Sequence, residues 1–186
     1  RWINLKSGIE IPEELAPQVD QQLDDITQYV FEVLHNSNFN QEVHESFMDL
    51  AIGTGCMLVE EGDAIQPVRF KAIPLPQVCL TSGHDDKVDA VYRTRKMKLK
   101  ELTFAYAQPI YNDKMAMDME ANPDKEITII ETLYRDYSQT KEEVNIFCAI
   151  AKDYEHKVYD EEYKGVGSNP YITYRWSKCA GETYGR

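Results

Sequence analysis

The hydrophobic period of this chain changes near Gly55, and that change constrains the fold more than any other feature of the sequence. Before it, five apolar residues follow helical steps of four, three, four and three: Val19, Leu23, Ile26, Val30 and Val33. After it, apolar and polar residues alternate in short runs, which predicts strands. None of the connections among the first four of these runs, up to residue 96, is long enough for a crossover helix, so we expect those strands to pair antiparallel.

This pattern predicts an α+β fold with two N-terminal helices, then mostly antiparallel strands and one or two further helices. The second helix carries Val43, Phe47 and Leu50 and ends at a glycine C-cap in Gly53-Thr54-Gly55. The short connection between the two helices predicts an αα-hairpin that presents one apolar face. The predicted strands cover residues 56–61, 68–73, 77–81, 88–96, 127–135, 143–152, 156–163 and 171–176, and further helices cover 99–107 and 110–123.

The length of 186 residues suits a single domain. We divide it into an N-terminal arm (1–16), a helical pair (17–53), strands (54–98), a helical and variable middle (99–122), and strands again (125–186). No run of 18 apolar residues exists, so no membrane-spanning helix is expected. The first residues lack both a starting Met and the apolar core of a signal peptide, which suggests that an N-terminal part is missing.

Charge and cysteine usage exclude several classes of function. With 32 acidic and 20 basic residues the net charge is −12, a balance that repels phosphate and argues against sequence-specific DNA binding. Solubility is the simplest reason for the acidity. The cysteines are scattered without a CxxC pair, which argues against a zinc knuckle and favours a reducing compartment: Cys56, Cys79, Cys148 and Cys179.

Candidate chemical motifs are incomplete. His44-Glu45 begins like a zinc-protease helix, but Met48 occupies the position of the second histidine ligand. Gly53-Thr54-Gly55 follows a helix and precedes a strand, the reverse of a phosphate-binding loop. The acidic groups lack the spacing of a calcium loop and are interpreted as solvated turns: Glu60-Glu61-Asp63, Asp85-Asp86 and Asp160-Glu161-Glu162. The four histidines, His35, His44, His84 and His156, are dispersed, and we predict no catalytic, cofactor or metal residue.

One segment departs from the negative balance. Six basic residues stand against one acid, Asp89, between positions 87 and 100: Lys87, Arg93, Arg95, Lys96, Lys98 and Lys100. Arg93 and Arg95 share a strand face because strands have a period of two. The run is interpreted as a solvated strand edge guarded by lysines, as a contact to a neighbouring subunit, or as a contact to a nucleic-acid backbone. The candidate contact residues are Arg93, Arg95, Lys96, Lys98 and Lys100.

The final residues, 170–186, read PYITYRWSKCAGETYGR and resemble a segment of the bacteriophage head-to-tail connecting (portal) proteins of short-tailed phages. Upstream blocks resemble the same family in the same order: residues 37–39, 44–50, 53–55, 58–61, 68–75, 88–93, 97–102 and 125–134. Single blocks are weak, whereas the ordered set with the YRW and GETYGR ending is fairly specific. Residues 108–122 and the loop after Tyr154 match no part of the family that we know.

The resemblance implies a structural protein without catalysis or cofactor. It implies a wing-region fragment of a ring, usually dodecameric, at one capsid vertex, with stem helices following residue 186. Double-stranded DNA would pass through the ring non-specifically during packaging and ejection. The implied partners are further copies of the chain, capsid protein, scaffold, terminase and tail adaptor proteins. The implied location is the virion, after synthesis in the bacterial cytoplasm. The main alternative is a non-viral acidic α+β protein-binding module, and an enzyme is third.

Overall fold

The computed structural model describes residues 3–8, 11–12, 14–84, 87–139, 142–177, 179 and 181–185. Among them are four α-helices and two antiparallel sheets, which confirms the α+β class predicted from the change of period. No helix in the described part of the chain is long and apolar enough to cross a membrane.

The first helix is exposed over much of its apolar stripe. Helix α1 (Ala16–Asn36) starts with Pro17 in its first turn, where proline costs no hydrogen bond. Thr27 is buried, but Ile26 and Val30 are exposed. The N-terminal arm lies along the helix, since the Leu5 amide donates to Thr27 Oγ1 over 3.4 Å. The described part of the chain therefore leaves Ile26 and Val30 of the α1 stripe uncovered, and the predicted αα-hairpin stays a prediction.

The second helix is α2 (Phe39–Leu50). Polar side chains on this helix and at its N-cap form hydrogen bonds with backbone groups of β2 and of the turn that follows it. Asn38 pairs with both backbone groups of Phe70: its Nδ2 donates to the carbonyl over 2.7 Å and its Oδ1 accepts from the amide over 2.9 Å. Glu42 Oε2 accepts from the Ala72 amide and Asp49 Oδ2 from the Leu75 amide. The side chains thus satisfy edge backbone groups that would otherwise lack partners.

The smaller sheet has three strands in the order β2-β1-β8. Strand β1 (Thr54–Glu61) and strand β2 (Val68–Ala72) form the predicted hairpin, with Glu61 opposite Val68. The last strand, β8 (Tyr171–Arg175), returns from the end of the chain and pairs with β1, with Leu58 opposite Tyr171. The sequence predicts these strands but not their separation into a second sheet.

The larger sheet is a five-stranded meander in sequence order. It comprises β3 (Val78–Ser82), β4 (Val88–Lys98), β5 (Glu126–Arg135), β6 (Val144–Ala151) and β7 (His156–Lys164). All neighbouring strands are antiparallel, which short connections favour for every pair except β4 and β5, because residues 99–125 connect those two. Strand β4 lies between β3 and β5 over residues 90–93, so the interpretation of the basic run as a solvated strand edge is wrong for Arg93. Residues 94–98 pair with β5 and not with β3, and Lys96 and Lys98 there are exposed.

The helical middle separates β4 from β5. A 3-10 turn, Leu99–Glu101, leads into the short helix α3 (Leu102–Ala105). Helix α4 (Asp113–Ala121) follows, and its N-cap residue Asn112 accepts a side-chain hydrogen bond from the Met115 amide over 2.9 Å. Both predicted middle helices are therefore confirmed, with tighter bounds.

Two apolar clusters cover one face of the larger sheet. The helix-side core lies under α3 and α4: Met97, Leu99, Leu102, Tyr106, Met115, Ile127, Ile129, Ala149, Ala151, Tyr154 and Val158. The inter-sheet core lies under the smaller sheet: Cys56, Leu58, Ile73, Val78, Leu80, Val91, Leu133 and Tyr171. Half-buried Phe147 packs against both.

Candidate interaction site

The structure brings Arg93 and Arg95 of the basic run together on the core-facing side of β4. The period-two prediction that they share a face is confirmed by their common partner Glu131, which lies directly opposite Arg93 on β5. Lys96, Lys98 and Lys100 are exposed and lie apart from this cluster. The run is therefore divided between a buried pair and a solvated group.

A compact ionic cluster forms around Glu131. Its Oε1 lies 2.7 Å from Arg95 Nη2, and its Oε2 lies 3.4 Å from Arg93 Nη1. The hydroxyl of Tyr106 donates to Oε1 over 2.6 Å and accepts from Arg95 Nη2 over 3.2 Å. The Glu131 side chain is 5% exposed, that of Arg93 7% and that of Arg95 21%. Two guanidinium groups thus share one carboxylate inside the protein.

Burial and neighbouring charges shift the pKa values of Arg95 and Tyr106 in this cluster. Burial lowers the pKa of Arg95, but Glu131 and the Tyr106 hydroxyl outweigh that effect, so the pKa of Arg95 lies above its ordinary value. Burial raises the pKa of Tyr106, and the negative charge of Glu131 raises it further. Tyr106 consequently stays neutral and donates a hydrogen bond to Glu131, while Arg95 stays charged.

A cleft of about 330 Å³ opens over this cluster. Its floor is the middle of the larger sheet, between the two apolar cores, and its sides come from β1, β7 and the end of α3. Three aromatic rings line one side: Tyr106 stacks on Tyr159 with centroids 5.5 Å apart, and Phe147 lies edge-on to Tyr159 at 6.1 Å. The cleft therefore combines a charged floor with aromatic walls.

The exposed lysines of the basic run have acidic partners nearby. Lys96 Nζ lies 3.0 Å from Glu126, and Asp124 lies 3.0 Å from Lys98 Nζ and 2.7 Å from Lys100 Nζ. The hydrogen bond from Lys100 is the largest cause of the lowered pKa of Asp124. These exposed pairs are worth little in stability. The contact that we predict for the basic run, to a subunit or to DNA, stays a prediction.

An apolar surface lies at the end of α2. Phe47, Leu50 and Ala51 form a groove with Trp176, whose side chain is 78% exposed. Ile52 beside it is also exposed. Contiguous exposed apolar surface of this kind is typical of a contact site for another protein.

The GETYG part of the final segment folds back and links the two sheets. Tyr184 Oη accepts a hydrogen bond from the Leu80 amide on β3 over 2.7 Å, and the Gly185 amide donates to Thr54 Oγ1 on β1 over 2.7 Å. Arg175 Nη1 donates to the Thr183 carbonyl over 2.8 Å. A Cβ at Gly185 would collide with the Gly53 carbonyl, so the segment requires glycine there. Lys178, Ala180 and Arg186 of this motif lie outside the described residues.

The described acidic groups lie partly in turns and partly within strands. Asp63 lies in a turn, as predicted, and accepts from the Gln66 amide. Residues 160–162 lie within β7 and not in a turn, so that interpretation is wrong; there Glu161 accepts from the Tyr159 and Tyr163 hydroxyls. Asp85 and Asp86 lie outside the described residues.

The predicted glycine C-cap of α2 is wrong, because the helix ends at Leu50 and its C-cap residue is Ala51. Gly53 lies in the turn after the cap with a φ of +133°, and Gly55 lies in β1. Within the described ranges, no group of three or more His, Cys, Asp or Glu side chains could hold a metal ion.

Glu131 is the residue of the cluster that the sequence analysis missed. It is the single acid in the inward phase of β5, between Ile129 and Leu133, and β5 follows the strand with the inward-facing arginines. A lone charge in a buried strand phase, next to a strand with two inward arginines, is a signal that could have predicted the pair. Tyr106 carries no comparable signal because its position, at the C-cap of α3, depends on how the chain leaves that helix.

Comparison with known proteins gives one result. A family model described as "Bacteriophage head to tail connecting protein" matches residues 1–186, the whole chain. No curated protein matches the sequence.

Proposed function

The chain belongs to the bacteriophage head to tail connecting protein family, and from that membership we propose that it is a subunit of the portal ring through which double-stranded DNA is packaged and ejected. The family makes the chain a structural component of the virion that assembles with other head and tail components. The match over residues 1–186 carries the proposal. Membership of a phage family counts against the non-viral acidic binding module.

The proposed ring is a closed homo-oligomer, because heterologous contacts between identical subunits close into rings when the rotation permits, and the number of about twelve copies is what the family resemblance implies. Its further partners are capsid protein, scaffold, terminase and tail adaptor proteins. Exposed apolar surface supports a role in assembly: Ile26, Tyr29 and Val30 on α1, and Phe47 and Trp176 at the α2 groove. The acidic net charge suits a wall past which DNA slides without tight binding.

For the basic run we propose a subunit contact through Lys96, Lys98 and Lys100. Arg93 and Arg95 are engaged by Glu131 inside the protein and are poorly available to a flat partner. The lysines are exposed, and their acidic partners Glu126 and Asp124 weaken their electrostatic attraction to the phosphates of DNA. A neighbouring subunit with an acidic surface could exchange partners with these pairs.

Conditional loss of the protein during infection tests the proposed function. A portal subunit is needed before DNA enters the head, so heads made without it should contain no nuclease-protected genome. Heads that are full of DNA but lack tails would contradict the proposal and indicate a connector that acts after packaging. Expression of the intact protein in trans should restore filled heads, which controls for effects on neighbouring genes.

A further inference from the structure

The cleft between the smaller sheet and α3 has an unusual distribution of charge. Its floor holds Arg93, Arg95 and Glu131, which together carry one excess positive charge. A buried cation without a full counter-charge is costly, because water no longer solvates it. The floor would therefore be stabilised by a second anion.

The two guanidinium groups have hydrogen-bonding capacity to spare. The Nε atoms of Arg93 and Arg95 are buried and have no hydrogen-bond partner among the described residues. Glu131 lies within ion-pair distance of Nη1 of Arg93 and Nη2 of Arg95, and the Tyr106 hydroxyl accepts a hydrogen bond from Nη2 of Arg95. Within the described part of the chain, the other terminal nitrogen of each guanidinium group forms no hydrogen bond. Arginine forks match the planar geometry of a carboxylate.

The rim of the cleft has the opposite charge. Glu60 and Glu61 at the end of β1 line it, and Glu161 on β7 lines it together with the tyrosines that donate to its carboxylate. Lys71 on β2 is the basic residue among the lining side chains outside the floor. A polyanion such as DNA would meet these rim acids before it reached the arginines, and it would be repelled.

The observations fit a ligand with a single acidic group surrounded by basic groups. We propose that the cleft is a docking site for a protein segment that inserts one Asp or Glu side chain between Arg93 and Arg95 and lays flanking Lys or Arg side chains on Glu60, Glu61 and Glu161. The aromatic wall of Tyr106 and Tyr159 would cover the aliphatic part of the inserted side chain. This site does not depend on the ring, and it would stand if the proposed portal role failed.

The proposal can be tested by NMR on the 186-residue chain, since arginine Nε–Hε signals are observed directly. The probes are the peptides Ac-Lys-Lys-Glu-Lys-Lys-NH2 and Ac-Lys-Lys-Gln-Lys-Lys-NH2, with inorganic phosphate and a short DNA duplex as the competing anions. We expect the Glu peptide to shift the Nε–Hε signals of Arg93 and Arg95 and to bind at least about tenfold more tightly than the Gln peptide, a difference of about 1.4 kcal/mol.

Matched variants identify the residues responsible. Arg95→Gln should abolish the preference for Glu over Gln, whereas Arg135→Gln should preserve it, because Arg135 packs over Tyr137 and does not line the cleft. If Arg95→Gln does not fold, Arg95→Lys retains the charge without the fork and should weaken the preference. Equal binding of both peptides, no binding of either, or stronger shifts with phosphate or duplex DNA would overturn the proposal.

Discussion

Removing the charge of Glu131 is the most informative single perturbation of this fold. Glu131→Gln keeps the size and shape of the side chain but leaves Arg93 and Arg95 without a counter-charge. The ionic cluster is buried, with the Glu131 side chain 5% exposed and that of Arg93 7% exposed. The variant therefore isolates the electrostatic contribution from packing.

The burial of the ionic cluster determines how much free energy of unfolding the Glu131→Gln variant should lose. Breaking a buried ion pair by removal of one partner costs about 3–5 kcal/mol, because the remaining charge stays desolvated. Arg95 is 21% exposed and can turn partly to water, so we expect the lower end, about 3 kcal/mol. With a denaturant slope of about 2–3 kcal/mol/M in urea, the unfolding midpoint should fall by about 1 M.

The matched control lies on the same strand. Glu126→Gln makes the same chemical change at the exposed pair with Lys96, where the Glu126 side chain is 62% exposed, and should cost about 0–1 kcal/mol. Urea unfolding monitored by circular dichroism compares the two variants with the parent chain. Equal midpoints for both variants would refute the buried cluster.

A triple variant separates charge imbalance from loss of shape. Replacing Arg93 and Arg95 with Met and Glu131 with Leu removes all three charges and retains apolar bulk. Buried ion clusters exchanged for apolar residues are often neutral in stability. We expect the triple variant to be more stable than Glu131→Gln, and a less stable triple variant would contradict the electrostatic explanation.

The remaining predictions concern other parts of the fold. Asn38→Ala should lower the free energy of unfolding by about 1–3 kcal/mol, because two backbone groups of edge strand β2 lose their partner. The control is Asn40→Ala at an exposed position, and equal urea midpoints for the two variants would refute the stabilising role of the Asn38 hydrogen bonds. Tyr184→Phe should accelerate hydrogen exchange at the Leu80 amide about threefold to tenfold, for a lost bond of about 0.5–1.5 kcal/mol; unchanged exchange would show that the final segment does not hold β3. Burial raises the pKa of the Cys56 thiol from 9.0 to about 12, so the folded state holds this proton more tightly than the unfolded chain does. The resulting stability is present below pH 9 and lost as the pH rises toward 12; Cys56→Ala should show a shallower decline in urea midpoints, and an unchanged decline would contradict burial as the cause.

The sequence predicts the elements of this fold well, because nearly all of them have a strong local signal. The change of period, the glycine at 53 and the prolines between strands define helices and strands within a few residues of their observed bounds. Short connections favour the antiparallel pairs of the larger sheet, except for β4 with β5, which the helical middle separates. These features depend on neighbouring residues and need no knowledge of distant contacts.

Other features depend on contacts between distant parts of the chain. The pairing of β8 with β1 joins residues more than a hundred positions apart, and Tyr184 reaches β3 across a similar separation. The exposure of Ile26 and Val30 contradicts an amphipathic pattern that normally predicts burial. Amphipathicity specifies a face to be covered, and in an assembling protein the covering surface can belong to another molecule.

The interpretation of the basic run illustrates the same limit. The local pattern of β4 places Arg93 and Arg95 on one face but does not show that this face is buried, and the register between β4 and β5 brings Glu131 opposite Arg93. The inference from the sequence that they share a face was correct. Arg93 is buried, and the contact that the sequence predicts for Arg93 and Arg95 stays a prediction.

Electron microscopy of the full-length protein tests the central claim most directly. We expect closed rings of about twelve copies around an axial channel wide enough for a DNA duplex, since a closed cyclic arrangement gives each subunit the same contacts around a conduit. The same preparation should contain few monomers at concentrations where rings are seen. Monomers or dimers at every concentration and salt condition, with no ring, would contradict the assignment of this chain to a portal.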